Sequence, residues 1–155
     1  APSGPLWVLE ANVDDMPGEW AAHAIQRLLE QGALDAWLTP VVMKKGRPGL
    51  QVHVLCEGPH RDALVEMLQE ETTTLGVRYY SVARTALPRR WVTVSTAYGP
   101  VRVKVAERDG RLVNAAPEYE DCRRAAADHG VPLKAVYHAA LAAAQMVRQG
   151  GQEGL

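Results

Sequence analysis

Apolar positions fall into runs and periodic stripes that predict the elements of this chain. Leu6, Trp7, Val8 and Leu9 form an unbroken apolar run, as in a central strand, which extends to Val13. Asp14 and Asp15 follow, then Pro17, a pattern that marks a helix start with one of the two carboxylates as its cap. From there to about Gln31, Ala21, Ala22, Ile25, Leu28 and Leu29 recur at helical spacing, and Gly32 stops the helix. Leu34 to Val42 predicts a second strand, which Pro40 confines to a sheet edge. A polar link, Met43 to Pro48, leads to a third strand, Leu50 to Cys56. Gly58 and Pro59 break the chain. A helix then runs from about His60 to Glu71, with Leu64, Val65 and Leu68 inward. Beyond Gly76, Val77 to Leu87 predicts a fourth strand.

This order, β-α-β-β-α-β, is the ferredoxin-like or split βαβ arrangement. Right-handed crossovers fix which loops share an end of such a sheet. They bring Asp14 and Asp15, the Lys44–Arg47 link, and Glu71 to Thr74 with Arg78 to one end. Past Pro88 the pattern changes. Val92 and Val94, then Val101, Val103 and Val105, alternate with polar residues about a turn at Tyr98, Gly99 and Pro100, which predicts a hairpin with one wet face. A short strand, Leu112 to Asn114, precedes a helix opened by Pro117 and ended by Gly130. A last helix runs from Pro132 to about Arg148. Its alanines (Ala139, Ala140, Ala142, Ala143, Ala144) suit close packing against a neighbour, a second subunit included. The fold class is therefore α+β: a ferredoxin-like core over residues 5–87, then a β-hairpin and two C-terminal helices over 88–148, packed with the core as one unit. Residues 1–4 and 149–155 read as linker and tail.

The candidate chemistry lies at the end where the loops meet. Lys44, Lys45 and Arg47 crowd one tight reversal at Gly46. Cations so close repel one another unless an anion, a phosphate above all, lies among them. Adding Asp14, Asp15, Thr72, Thr73, Thr74 and Arg78 gives an inventory that suits a metal–triphosphate. Carboxylates take Mg²⁺ or Mn²⁺ by oxygen, and lysine and arginine neutralise phosphate oxygens. The plainer accounts are a solvated basic turn, a helix cap and a polar helix end. Tyr79 points opposite to Arg78 and Tyr80 along the fourth strand, so one tyrosine belongs to the core and the other is free to stack on a base. No P-loop or GxGxxG occurs. Glu118 to Asp121 is a second acidic cluster, read first as a helix-start cap, and Cys122 beside it is a weak candidate for a soft-metal ligand.

Composition narrows the classes. With 17 basic and 18 acidic residues the chain is near neutral, which argues against a nucleic-acid coat or a membrane-surface protein. The third strand (Gln51, Val52, His53, Val54, Leu55) lacks the aromatics of an RNA-reading sheet. Cys56 and Cys122 lie too far apart for a disulfide framework and suggest a reduced, cytoplasmic setting; Cys56 reads as a small buried apolar residue. No run approaches the ~20 apolar residues that span a bilayer, and no signal peptide pattern occurs. The start, without Met and with two prolines and a glycine, suggests a piece of a longer chain.

Five segments together carry a resemblance: residues 10–16 (EANVDDM), 43–48 (MKKGRP), 71–80 (ETTTLGVRYY), 117–122 (PEYEDC) and 130–137 (GVPLKAVY). In this order, and over nearly all of residues 6–145, they resemble the C-terminal domain of the LarC family. That family is the nickel insertion protein (cyclometallase) of nickel-pincer nucleotide cofactor biosynthesis, which serves lactate racemase. The chain departs from the family pattern at Pro17-Gly18, where Asn-Pro is usual, and at Ala116, where Ser is usual; both positions concern helix caps.

The resemblance implies a CTP-dependent enzyme that places nickel, its substrate, into pyridinium-3,5-bisthiocarboxylic acid mononucleotide. CTP with Mn²⁺ or Mg²⁺ would be consumed through a cytidylylated substrate, as in a lyase releasing CMP and diphosphate. Under it Lys44, Lys45, Arg47 and Arg78 would neutralise the triphosphate, and Asp14 and Asp15 would be candidates for the divalent ion; Thr72, Thr73, Thr74 and Tyr80 join them as nucleotide-binding candidates from the reading of the residues above. Implied partners are the N-terminal nickel-storing domain of the same protein and further copies of the chain, with no nucleic acid and no membrane. The competing reading is a non-catalytic regulatory or oligomerisation domain that senses an anion or a nucleotide.

Overall fold

A computed structural model describes residues 4–149. The chain divides into two compact units, Ala1–Arg84 and Thr85–Leu155.

The first unit runs β1 (Leu6–Val13), α1 (Gly18–Glu30), β2 (Asp35–Val42), β3 (Pro48–Glu57), α2 (Arg61–Glu71) and β4 (Arg78–Val82). Its strands form one sheet in the order β2-β3-β1-β4, antiparallel throughout, which is the expected ferredoxin-like topology. β2 lies at an edge, as Pro40 requires. On one face of the sheet Leu9, Val52, Val54 and Cys56 pack with Leu28 of α1 and Leu64 and Leu68 of α2, all fully buried. The buried stripe of α1 is Ala21, Ala24 and Leu28, and Ala22 and Leu29 face outward, a shift from the expected face.

β4 is shorter than the expected strand to Leu87. Among the described residues it pairs with β1 alone, and that pairing ends where Leu6, the first residue of β1, meets Val82. At the opposite end of β1, Val13 pairs with Leu50, and Gly49 leaves no room there: a Cβ on it would stand 2.8 Å from the Val13 carbonyl oxygen and 2.6 Å from Met43 Sδ. That tight approach holds the β2–β3 link against the end of β1.

The second unit is an antiparallel meander, β5 (Arg89–Thr96), β6 (Gly99–Arg108) and β7 (Arg111–Pro117), followed by α3 (Tyr119–His129) and α4 (Leu133–Gln149). Val94, Val101, Val103 and Val105 from one sheet face pack with Cys122, Ala125 and Ala126 of α3 and Val136, Ala140 and Ala144 of α4. The alanines of α4 are thus partly used inside its own unit. The hairpin turn is Ala97-Tyr98, and Gly99 (φ 98°) and Pro100 already belong to β6. Proline is tolerated there because the pairing of β6 with β7 starts only at Val103. Pro117 ends β7 instead of opening the helix, and Gly130 terminates α3 in a left-handed conformation at φ 61°. Among the described residues no helix is long and apolar enough to cross a membrane.

Candidate functional site

The expected loops do come into contact in the first unit. Asp15 Oδ1 accepts a hydrogen bond of 2.5 Å from the Thr73 hydroxyl, joining the loop after β1 to the loop after α2. Asp14 Oδ2 lies 3.8 Å from Arg47 Nη1, joining the same loop to the β2–β3 link. Neither carboxylate caps α1. Pro17 occupies the N-cap without a side-chain hydrogen bond, and its carbonyl closes the first turn by accepting from Trp20 N at 3.1 Å. The capping expectation fails because proline takes that place. Both acids are turned instead toward the neighbouring loops.

Lys44, Lys45 and Gly46 form a single 3₁₀ turn. Lys45 has φ 64°, a left-handed conformation costly for a residue with a Cβ, and Gly46 follows at φ 71°. The reversal is clamped by Met43 N donating to Arg47 O at 2.7 Å. Both lysines are exposed, and among the described residues neither meets a carboxylate. A strained tip with two unneutralised lysines, in a link whose Arg47 meets Asp14, is an arrangement suited to an anion carrying a divalent cation.

The three threonines divide. The buried Thr72 hydroxyl donates to Leu68 O at 2.5 Å and accepts from Thr74 N at 3.2 Å, so it closes the end of α2. Thr74 donates to Gly76 O at 2.8 Å. Those two build the loop, and Thr73 alone of the three reaches across to an acid.

Arg78 and Tyr80 belong to a second group, on the sheet face opposite the helices. Glu10 Oε2 accepts from Arg78 Nε at 2.9 Å and Glu10 Oε1 from the Tyr80 hydroxyl at 2.8 Å. Asn12 Oδ1 accepts from Arg78 Nη2 at 2.9 Å and from Gln51 Nε2 at 3.0 Å. His53 Nδ1 lies 3.5 Å from Glu10, His53 Nε2 is 3.0 Å from the Thr39 hydroxyl, and the imidazole stacks on Trp37 with ring centroids 5.0 Å apart. Burial pushes the Glu10 carboxyl up, but hydrogen bonds from Tyr80 and Arg78 and the Arg78 charge outweigh it and hold Glu10 below the usual range. Accepting-side pressure from Glu10 raises Tyr80 in turn. Glu10, Asn12, Gln51, His53 and Thr39 are the residues that sequence reasoning missed. Their signal was the period-two alternation of polar positions on β1 and β3 against Leu9, Ala11, Val52 and Val54. Neither tyrosine is core: Tyr79 is 46% exposed, edge-on to Trp7 and under Arg61, and Tyr80 is 48% exposed.

The second acidic cluster has a structural task. Glu118 makes no side-chain cap, whereas Asp121 accepts from Arg102 N at 3.0 Å, from Arg102 Nε at 2.9 Å and from Arg124 Nη2 at 3.0 Å. The Arg102 hydrogen bond, chiefly, holds the Asp121 carboxyl down at about 2. A folded value below the unfolded one stabilises the fold above the unfolded pKa, and this contribution is lost as pH falls from ~4 toward 2. Asp121→Asn therefore costs about 1–2 kcal/mol at neutral pH, allowing for solvent at both arginines. Urea titrations of wild type and variant converge as pH falls toward 2. Cys122 is fully buried in the core, and burial raises its thiol, as it does for Cys56. Among the described residues no three His, Cys, Asp or Glu side chains converge to hold a metal.

A family model described as nickel insertion protein matches residues 2–137. The chain is 55% identical over 138 residues to a putative nickel insertion protein of Myxococcus xanthus, covering 89% of this chain and 35% of that one. It is 40% identical over 141 residues to the pyridinium-3,5-bisthiocarboxylic acid mononucleotide nickel insertion protein of a Thermotoga species, covering 91% of this chain and 35% of that one. The chain thus spans about a third of the length of these curated relatives. A solved structure of the C-terminal domain of a cyclometallase, involved in the synthesis of the NPN cofactor of lactate racemase, superimposes with a TM-score of 0.84 at 40% identity. It covers 92% of this chain and 98% of that one.

Proposed function

The chain belongs to the nickel insertion protein family, and from that premise we propose that it is the nucleotide-binding part of a CTP-dependent nickel insertase. In the whole protein, nickel is placed into pyridinium-3,5-bisthiocarboxylic acid mononucleotide and CTP is converted to CMP and diphosphate. The observation that carries the reading is the meeting of three loops: Asp14 with Arg47, and Asp15 with Thr73, beside the exposed Lys44 and Lys45.

Each residue has a task there. Lys44, Lys45 and Arg47 neutralise the phosphate oxygens, and Thr73 positions Asp15. Asp14 and Asp15 fit a hard divalent cation, Mn²⁺ or Mg²⁺, which takes one or two protein carboxylates and fills its remaining positions with phosphate oxygens and water. That ion, when bound, supplies neutralisation of charge on the triphosphate. Thr72 and Thr74 keep the loop closed. Arg78 and Tyr80, oriented by Glu10, extend the seat along the sheet face for the rest of the nucleotide. The N-terminal nickel-storing domain and further copies of the chain complete the enzyme, which works in the cytoplasm; the 155 residues alone bind nucleotide and do not insert nickel.

Calorimetric titration of the chain with Mn–CTP tests this. Wild type gives a saturable heat, and Asp14→Ala weakens binding by about tenfold or more, since one charge-assisted contact to the metal–triphosphate is lost. A silent wild type, or an Asp14→Ala that binds as tightly, removes the site.

A further inference from the structure

We propose that the open face of the β5–β6–β7 sheet, with the cavity beside it, seats the flat, anionic pyridinium mononucleotide that receives nickel, on residues other than those assigned to CTP. The identity of this ligand rests on the function proposed above; the binding chemistry rests on the face itself.

Strand register sets out that face. Trp91 pairs with Lys104, Thr93 with Arg102 and Arg89 with Ala106. The alternate positions, Val94, Val101, Val103 and Val105, are in the core, so Arg89, Trp91, Thr93, Arg102 and Lys104 share the opposite side. Trp91 is 49% exposed, with Lys104 Nζ 5.1 Å and Arg102 Cζ 5.8 Å from its ring centroid. Arg102 is neutralised by Asp121. Among the described residues Arg89 and Lys104 meet no carboxylate. Two uncompensated cations flanking an exposed indole favour a ring that can stack and that carries acidic groups at its edge. The same face runs, through Thr93 and Arg102, into a cavity of about 450 Å³ that Tyr98, Arg124 and Asp128 also line. That volume is in the range of small-ligand sites. Asp128 and Thr93 there can accept from and donate to ribose hydroxyls, while Arg124, like Arg102, is already held by Asp121, which also lines the cavity.

A cytosine nucleotide shares the flat ring and the negative charge, so the test must separate the two. The 155-residue chain is titrated with pyridinium-3,5-dicarboxylic acid mononucleotide, the all-oxygen analogue, and separately with Mn–CTP. Trp91→Ala and Lys104→Gln are each expected to weaken the mononucleotide by about tenfold, Trp91→Phe to restore most of it, and all three to leave Mn–CTP binding as in wild type. A wild type silent to the mononucleotide, or variants that bind it unchanged, overturns the proposal. So does a loss of Mn–CTP affinity in its place. Should Trp91→Ala fail to fold, Lys104→Gln and Trp91→Phe still decide. If wild type ignores Mn–CTP yet loses the mononucleotide in these variants, the function proposed above fails and this site stands.

Discussion

Replacing Lys44 and Lys45 together by alanine lowers the affinity of the chain for Mn–CTP by about a hundredfold or more, because two charge-assisted contacts to phosphate go at once. The thermal midpoint stays where it was. Both side chains are exposed, and among the described residues neither makes an ion pair, so the fold loses no contact with them. Relief of the left-handed strain at Lys45 does not follow from alanine, which also carries a Cβ; Lys45→Gly is the variant that relaxes the φ of 64°. That variant is expected to gain a little stability while losing one of the two contacts. The comparison separates a turn strained for its own reasons from a turn that holds a charge in place. Calorimetry for the ligand and differential scanning for the fold give the two readouts. A double variant that binds Mn–CTP like wild type dismisses the tip as a ligand seat.

Leu9→Ala destabilises the first unit by about 3–4 kcal/mol, in the range of leucine truncations in closed cores. Leu9 is fully buried on β1, a central strand paired on both sides, and it packs in one cluster with Leu28 of α1 and Leu64 and Leu68 of α2. A cavity there cannot collapse easily, since the strand is fixed by two neighbours and both helices lean on it. The unfolding midpoint falls by roughly 12–30 °C for a unit of this size. The same strand carries Glu10 and Asn12 on its other face and leads directly into Asp14, so loosening it is felt at the candidate site. Leu9→Ala is therefore expected to weaken Mn–CTP binding at temperatures well below its own midpoint. A midpoint within about a degree of wild type would mean that β1 is not the keystone of this unit.

The sequence was sufficient for element type and order in both units, because long apolar runs and strong breakers such as Gly32, Gly76, Gly130 and Pro88 leave little choice. Where it misled, a local rule lost to tertiary partners. The fourth strand is apolar enough to continue past Val82, yet it stops where its pairing with β1 ends, at Leu6. Asp14 and Asp15 look like helix caps, yet Pro17 holds that place and the carboxylates reach Arg47 and Thr73. Three adjacent threonines look alike in one dimension, and only the fold assigns two to the loop and one to the acid.

By itself, then, the order of residues determined the β-α-β-β-α-β path, the edge position of β2 at Pro40 and the end of the sheet at which the charged loops gather, since connection handedness leaves one arrangement. Only the tertiary structure decided which charges are free. Pairing depends on distances of a few ångströms between residues tens of positions apart, such as Glu10 with Arg78 at 2.9 Å or Arg102 with Asp121 at 2.9 Å. Such proximity is a property of packing and leaves no periodic trace along the chain.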